Sequence, residues 1–150
     1  MADNSPVNRE DEEDVWTVGR LLTWTTEWLE TRGSDSPRLD AEVLLACVRN
    51  CQRILLYTAF DEVVDAEQRR KFRELVRRRG RGEPVAYLVG VKEFFSMSLK
   101  VTPATLIPRP ETEGLVIRAL DVWKQEFSGK AAMRVLDVGT GSGALAVALA

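Results

Sequence analysis

The heptapeptide "DVGTGSG" at 137–143 restricts this chain more than any other stretch. An apolar run, residues 135–138, delivers Gly139, Gly141 and Gly143 into a turn, and "ALAVALA" follows at once. Such spacing predicts a buried strand, a tight turn and the start of a helix. Glycine suits the turn because it tolerates positive φ and because, lacking Cβ, it lets a ligand touch the backbone. The N–H groups at the helix start favour an anionic group there, a phosphate or a carboxylate. With "GLVIRALDVWKQEF" read as a helix ahead of the strand "MRVLDVG", the order is helix, strand, glycine turn, helix, the way a doubly wound α/β domain begins.

The remaining composition sets bounds. At 45% hydrophobic and 29% charged, the 150 residues describe a globular chain long enough for one medium domain or two small ones. A formal net charge of −2 exerts no global pull on nucleic acid or membrane. No apolar run approaches the roughly 20 residues of a membrane span, and the start "MADNSPVNREDEED" has none of the features of a signal peptide, so a cytoplasmic location is expected. Cys47 and Cys51, with no histidine in the chain, cannot assemble a four-ligand zinc site and read as reduced core thiols.

Residues 1–14 carry six acids against one arginine and almost nothing apolar, which predicts a disordered acidic tail. From Val15 the pattern turns amphipathic: Val15, Val18, Leu21, Leu22, Thr25, Trp28 and Leu29 share a helical face that ends near Gly33. "SDSPRLDAEVLLACVRN" restarts a helix with Ser36 as N-cap and Pro37 at the first helical position. A short apolar piece, "RILLYTAF", precedes "DAEQRRKFRELVRRRGRG", where Asp65 and Gln68 have capping-box spacing and Gly80 and Gly82 close the helix. "EPVAYLVG" adds a last short helix, so residues 15–90 read as a small bundle. Within it, 65–82 holds eight basic residues against three acids, readable as a solvated helix face or as a docking patch for an acidic or nucleic-acid partner.

After Gly90 the register changes. "VKEFFSMSLKVT" is rich in aromatic and β-branched residues, with the turn-former Ser96 between two apolar halves, and predicts a β-hairpin or connector over 91–108. Pro108 and Pro110 push Ile107 and Arg109 into extended backbone, which presents the arginine on a stiff strut.

Two ligands compete for the glycine turn. Gly139, Gly141 and Ala144 fit the G-x-G-x-x-G/A dinucleotide fingerprint. With Asp137 included, D-x-G-x-G-x-G resembles motif I of the class I S-adenosylmethionine-dependent methyltransferases. The acid favours the second reading: a carboxylate beside a pyrophosphate repels it, whereas S-adenosylmethionine carries a sulfonium and an ammonium and no phosphate. "SPRLDAEVLLA", "GEPVAYLVGVKEFFSMSLKV", "TLIPRPETEGLV" and "VLDVGTGSGALAVALA" occur in this order and spacing, and from about Val15 to Ala150 the chain resembles the HemK-type release factor glutamine N5-methyltransferases.

That resemblance implies an α+β chain in two parts: the helical bundle, 15–90, docking a peptide-chain release factor; the connector, 91–108; and at 109–150 the truncated start of a Rossmann-like methyltransferase domain. It implies S-adenosylmethionine as cofactor, with Asp137, Gly139, Thr140, Gly141, Ser142 and Gly143 lining its site. It also makes Arg109, Glu111, Thr112 and Glu113 cofactor or substrate contacts, the bland alternative for Arg109 and Glu113 being an ordinary ion pair. The expected reaction is methyl transfer to the glutamine of the release factor's GGQ motif. A protein partner is thereby favoured over nucleic acid, which would be met only through the ribosome. The family's amide-holding Asn-Pro-Pro-Tyr motif does not occur in these 150 residues, so no catalytic residue is assigned and the chain is expected to be an inactive portion of an enzyme. The rival readings are an N6-adenine methyltransferase, which uses the same kind of motif, and a non-catalytic helical module that binds protein or RNA.

Overall fold

The computed structural model describes residues 15–127, 129 and 134–150. The acidic tail read at 1–14 lies outside them. The elements are α1 (Val18–Glu30), α2 (Pro37–Arg49), α3 (Leu55–Thr58), α4 (Ala66–Arg79), α5 (Val85–Val89), β1 (Val91–Phe94), β2 (Met97–Lys100), a 3-10 turn (Pro110–Thr112), α6 (Glu113–Glu126) and α7 (Ala144–Ala148). Helices and one antiparallel two-stranded sheet make this an α+β chain. It divides into two compact units after Glu83, so α5 sits with the hairpin, although the periodicity alone put the boundary near residue 90.

In the first unit, α1 starts where the Thr17 hydroxyl accepts the Arg20 N–H at 3.2 Å. A helix start leaves several N–H groups without intrahelical partners. Here the segment before α4 supplies acceptors: Val18 N–H donates to the Glu62 carbonyl at 3.0 Å and Gly19 N–H to that of Phe60 at 2.9 Å. Val64 N–H returns a bond to the Trp16 carbonyl, and Thr17 and Val63 form an isolated antiparallel bridge. A Cβ on Gly19 would lie 2.2 Å from the Phe60 ring, so any other residue there would force that ring to move. The core is then the apolar stripe of each helix: Val18, Leu22 and Leu29 from α1, Leu44 and Leu45 from α2, Phe72 and Val76 from α4. Burying each such side chain stabilises by about 1.5–3 kcal/mol.

The caps follow the sequence in part. Asp65 accepts the Gln68 N–H at 2.8 Å and opens α4 as its spacing predicts. Ser36 precedes α2 and Pro37 takes the first helical position, but the Ser36 hydroxyl makes no capping bond. Asn50, in the left-handed region at φ 50°, closes α2, with Cys51 N–H bonded to the Ala46 carbonyl at 3.0 Å. Cys47 is exposed and Cys51 half-buried, which corrects the expectation of core thiols: position 47 falls on the outer face of α2, away from Leu44 and Leu45.

Two carboxylates are buried in this unit, and both are paired. The Glu42 side chain, 2% exposed, accepts from Arg38 Nε at 2.7 Å, Arg53 Nη1 at 3.2 Å and the Tyr57 hydroxyl. Asp40, near the start of α2, accepts Arg79 Nε at 2.7 Å and so ties α2 to the end of α4.

In the second unit, Gly90 ends α5 at φ 79° and the hairpin begins at once, with Val91 opposite Lys100 and Phe94 opposite Met97. Its two-residue turn has positive φ at both central positions, Phe95 at 47° and Ser96 at 61°. Phe94, Val116 of α6 and Ala144 of α7 form the buried centre, with Phe95, Leu99, Leu120 and Leu145 packed around it.

The strand expected at 135–138 is not formed. Val135, Leu136 and Val138 are 52%, 87% and 85% exposed, and the segment makes no ladder. A strand is stable only as one rung beside another. Among the described residues none runs alongside it, and the hairpin strands pair only with each other. Met133, also assigned to that strand, lies outside the described residues.

Glu42 carries a pH consequence. Burial pushes its carboxyl up, but the Tyr57 hydroxyl, Arg38 and Arg53 outweigh burial, and its pKa lies below the usual carboxylate value. A folded-state pKa below the unfolded one contributes stability that is present above the unfolded value and lost as pH falls through the folded value. We expect Glu42→Gln to lower stability at pH 7 by about 1–3 kcal/mol and to flatten the acid limb of a stability–pH curve measured by urea unfolding. An acid limb unchanged in slope by the substitution would contradict the assignment.

Candidate functional site

The glycine turn is built as its composition suggests. Gly139, Gly141 and Gly143 have φ of 79°, 56° and 76°, all left-handed, and Gly143 precedes α7. The requirement for glycine is torsional rather than steric: a Cβ on Gly139 would meet nothing within 4 Å, and those on Gly141 and Gly143 would make only ordinary contacts. Thr140 closes the turn from both sides, its hydroxyl donating to the Asp137 carbonyl at 3.2 Å and its carbonyl accepting Gly143 N–H at 2.8 Å. Ala144 is buried in the Phe94–Val116 cluster, so the turn is held by the packing of the helix it opens into.

Asp137 is half-buried, and its Oδ2 is shielded from water with no hydrogen-bond partner. A carboxylate oxygen in that state is an acceptor left open, and it favours a cationic or N–H-donating group beside it. Open space over Gly139, bare backbone and an unpartnered carboxylate together fit a ligand that carries positive charge and hydroxyls better than one that carries phosphates.

The second predicted segment approaches the turn from the proline side. Arg109 is extended, at φ −92° and ψ 141°, and exposed; among the described residues its guanidinium has no partner. Pro110–Thr112 forms the 3-10 turn, closed by Thr112 N–H on the Arg109 carbonyl at 3.0 Å. Arg109 and Glu113 make no ion pair. Glu113 instead reaches the hairpin, where its Oε1 accepts Phe95 N–H at 3.1 Å and satisfies the turn whose φ values are strained for a phenylalanine. Glu111 is exposed and Thr112 half-buried. Leu106, which the sequence did not single out, is the link between the segments: its Cδ2 lies 4.0 Å from the position a Cβ on Gly141 would take. Only an unpaired apolar residue next to a proline strut could have signalled it.

Seven of the eight basic residues separate into two sets. Arg70 and Lys71 pair with Glu67, Arg78 with Glu83 and Arg79 with Asp40. Arg69, Arg73 and Arg77 point instead into a groove shared with α1.

The comparisons with known proteins agree on a family. A family model described as the PrmC N-terminal domain matches residues 20–90. The release factor glutamine methyltransferase of Rhodopirellula baltica is 62% identical over 135 residues, 90% of this chain and 46% of that protein. That of Aliivibrio fischeri is 46% identical over 134 residues, and that of Vibrio cholerae 47% over 137, each covering 89% of this chain and 45% of its own length. The chain thus spans somewhat under half the length of the curated relatives it matches.

The Glu113 bond gives a local prediction. Removing the acceptor with Glu113→Ala leaves Phe95 N–H unpaired in a half-buried turn and is expected to destabilise the second unit by about 1 kcal/mol. Faster amide exchange should follow at Phe95 and along β1 and β2, with α1 and α2 unchanged. Equal acceleration in α1 would show that the effect is not local.

Proposed function

From a sequence that belongs with the N-terminal portion of the release factor glutamine methyltransferases, we infer a role as the cofactor-opening and partner-docking part of such an enzyme. The whole protein moves a methyl group from S-adenosylmethionine to the glutamine amide nitrogen of the GGQ motif in a peptide-chain release factor. The bundle, 15–90, docks the release factor; 91–108 connects; 109–150 begins a Rossmann-like domain. This portion lacks the Asn-Pro-Pro-Tyr motif and is expected not to catalyse the transfer by itself.

The observation that carries the reading is the Asp137 Oδ2, buried and unpartnered beside a turn of three left-handed glycines. When bound, S-adenosylmethionine supplies a methyl made electrophilic by its sulfonium. The work of this chain's residues is to hold it: Asp137 offers a negative charge in a partly shielded place, where attraction for a cation is stronger than in water. Gly139, Thr140, Gly141, Ser142 and Gly143 present backbone that a ligand can approach closely. Arg109, Glu111 and Thr112 lie on the strut that enters α6, suited to contact cofactor or substrate. A glutamine amide is a poor nucleophile, so it must be held close and in line, and that work falls to the motif missing from this portion.

Joining residues 1–150 to the C-terminal half of the Rhodopirellula baltica relative, where the family resemblance places that motif, permits a test. Calorimetric titration of this chimera should show uptake of S-adenosylmethionine and none of NADH, and methyl transfer to a release factor should follow. Asp137→Asn, with the fold intact by circular dichroism, should weaken cofactor binding about tenfold, which is about 1.4 kcal/mol. Uptake of NADH in place of S-adenosylmethionine would overturn the reading.

A further inference from the structure

The groove between α1 and α4 is not used by the reading above. It has a volume of about 420 Å³, with Trp16, Trp24 and Trp28 on the α1 side and Arg69, Arg73 and Arg77 on the α4 side. The indoles form one wall, Trp16 edge-on to Trp24 with ring centroids 6.4 Å apart and Trp24 stacked on Trp28 at 6.1 Å. The buried side chains of Leu21, Phe72 and Val76 line it as well. A concave, largely apolar hollow of about 300–1,000 Å³ with a few placed polar groups is the usual form of a small-molecule site.

The placed polar groups here are donors, and they are unused. Two neighbouring threonines of α1 show the contrast. The Thr26 hydroxyl donates to the Leu22 carbonyl at 2.7 Å, a bond that helical threonines commonly make. Thr25, fully buried and lining the groove, has a hydroxyl with no partner. On the α4 side Arg69 Nε is buried and equally unpartnered. Among the described residues no carboxylate pairs with Arg69, Arg73 or Arg77, whereas Arg70, Lys71, Arg78 and Arg79 on the same helix all have one. Buried donors are costly to leave unpaired, and what these lack is an anionic acceptor.

We propose that the groove binds a phosphate monoester carried on a flat ring, of the size of a nucleoside monophosphate, with the phosphate on Arg69, Arg73 and Arg77 and the ring along the tryptophans. Charge selects the phosphate. A monoester carries about −1.5 to −2 charge at pH 7 on three acceptor oxygens, against a single charge on a carboxylate, and guanidinium forks match it bidentately. The indole wall selects the ring, because a planar π-system packs on it and a bare phosphate leaves it in water. An extended peptide is poorly served. The walls are helices whose backbone groups are bonded internally, so no ladder can form along them. A nucleic-acid strand brings repeating negative charge to a chain whose formal net charge is −2, and a hollow of this volume holds about one nucleotide of it. The chemistry also differs from that of the glycine turn, where the Asp137 carboxylate repels phosphate. The proposal depends on neither methyl transfer nor its cofactor.

The test titrates the isotope-labelled 150-residue chain with adenosine, guanosine, cytidine and uridine monophosphates, with the four nucleosides and with ribose phosphate. Binding is followed by calorimetry and by the indole N–H signals, with Trp123 of the second unit as internal reference. At least one monophosphate should bind about tenfold more tightly than its nucleoside and than ribose phosphate, moving the signals of Trp16, Trp24 and Trp28 and not that of Trp123. Arg73→Gln with Arg77→Gln should weaken that binding about tenfold, whereas Arg70→Gln with Lys71→Gln, an equal loss of charge on the same helix, should leave it unchanged. Thr25→Val should weaken it about fivefold without lowering the unfolding temperature, because the hydroxyl removed bonds nothing in the free chain. Thermal unfolding checks that each variant remains folded. Failure of all four monophosphates to bind at about 1 mM overturns the proposal, as does ribose phosphate binding as tightly as they do. A Thr25→Val chain that melts lower and binds normally also overturns it. Tighter binding of a single-stranded RNA without terminal phosphates would assign the groove to a nucleic-acid strand and overturn it likewise.

Discussion

Placement of the glycine turn rests on a small apolar contact, Ala144 buried against Phe94 and Val116. The turn itself has two internal hydrogen bonds and, among the described residues, no strand behind it. What fixes it is that the helix it opens into docks on the hairpin and on α6. Glu113 reinforces the same junction, holding the Phe95 end of the hairpin to the first turn of α6. The geometry of residues 137–143 is therefore set by elements some twenty-five to fifty residues earlier in the chain. A ligand that used Asp137 would be bound to a junction of three elements.

The first unit solves a different problem, the pairing of polar groups in a small bundle. The start of α1 finds its acceptors in the Phe60–Val64 segment, Glu42 collects three donors on one buried carboxylate, and Asp40 anchors the far end of α4. The Glu42–Tyr57 and Asp40–Arg79 links join residues of different helices, so each helps to specify one arrangement of helices that apolar burial alone would leave loosely defined. The arginines of α4 divide accordingly between those that finish this internal pairing and those that are left facing the groove.

Much of this was legible in the sequence, for physical reasons that are local. Helical periodicity placed α1, α2 and α4 because an apolar stripe needs no knowledge of its partner. Asp65 and Gln68 marked a cap because that bond spans three residues, and Ser96 marked a reversal because a polar turn-former between two apolar halves is a local signal. The positive φ of the loop glycines follows from residue type and position in the same way. The misses are non-local. Residues 135–138 have strand composition, but a strand is a relation to a neighbour, and none lies beside them among the described residues. The Ser36 hydroxyl had the right place and the wrong torsions. The outward position of Cys47 depends on which face of α2 meets α1, and an apolar stretch such as "VLLACVRNC" does not declare it. Glu113 reads as half of an ion pair when only its neighbours in sequence are considered; it becomes a turn acceptor once the hairpin is folded against α6.

The glycines of this chain fall into two kinds that respond oppositely to handedness. At Gly139 an L Cβ would meet nothing and only the sign of φ excludes an L side chain, and a D-alanine, whose preferred torsions are the mirror image, matches that φ. At Gly19 the helix demands the ordinary right-handed torsions, and the obstacle is the Phe60 ring. There a D residue would oppose the helix and an L residue would displace the ring, so neither hand of alanine enters without adjustment. Chemical synthesis with mirror-image residues would thus tell a torsional glycine from a crowded one, and could stiffen the turn at 137–143 while leaving its backbone exposed.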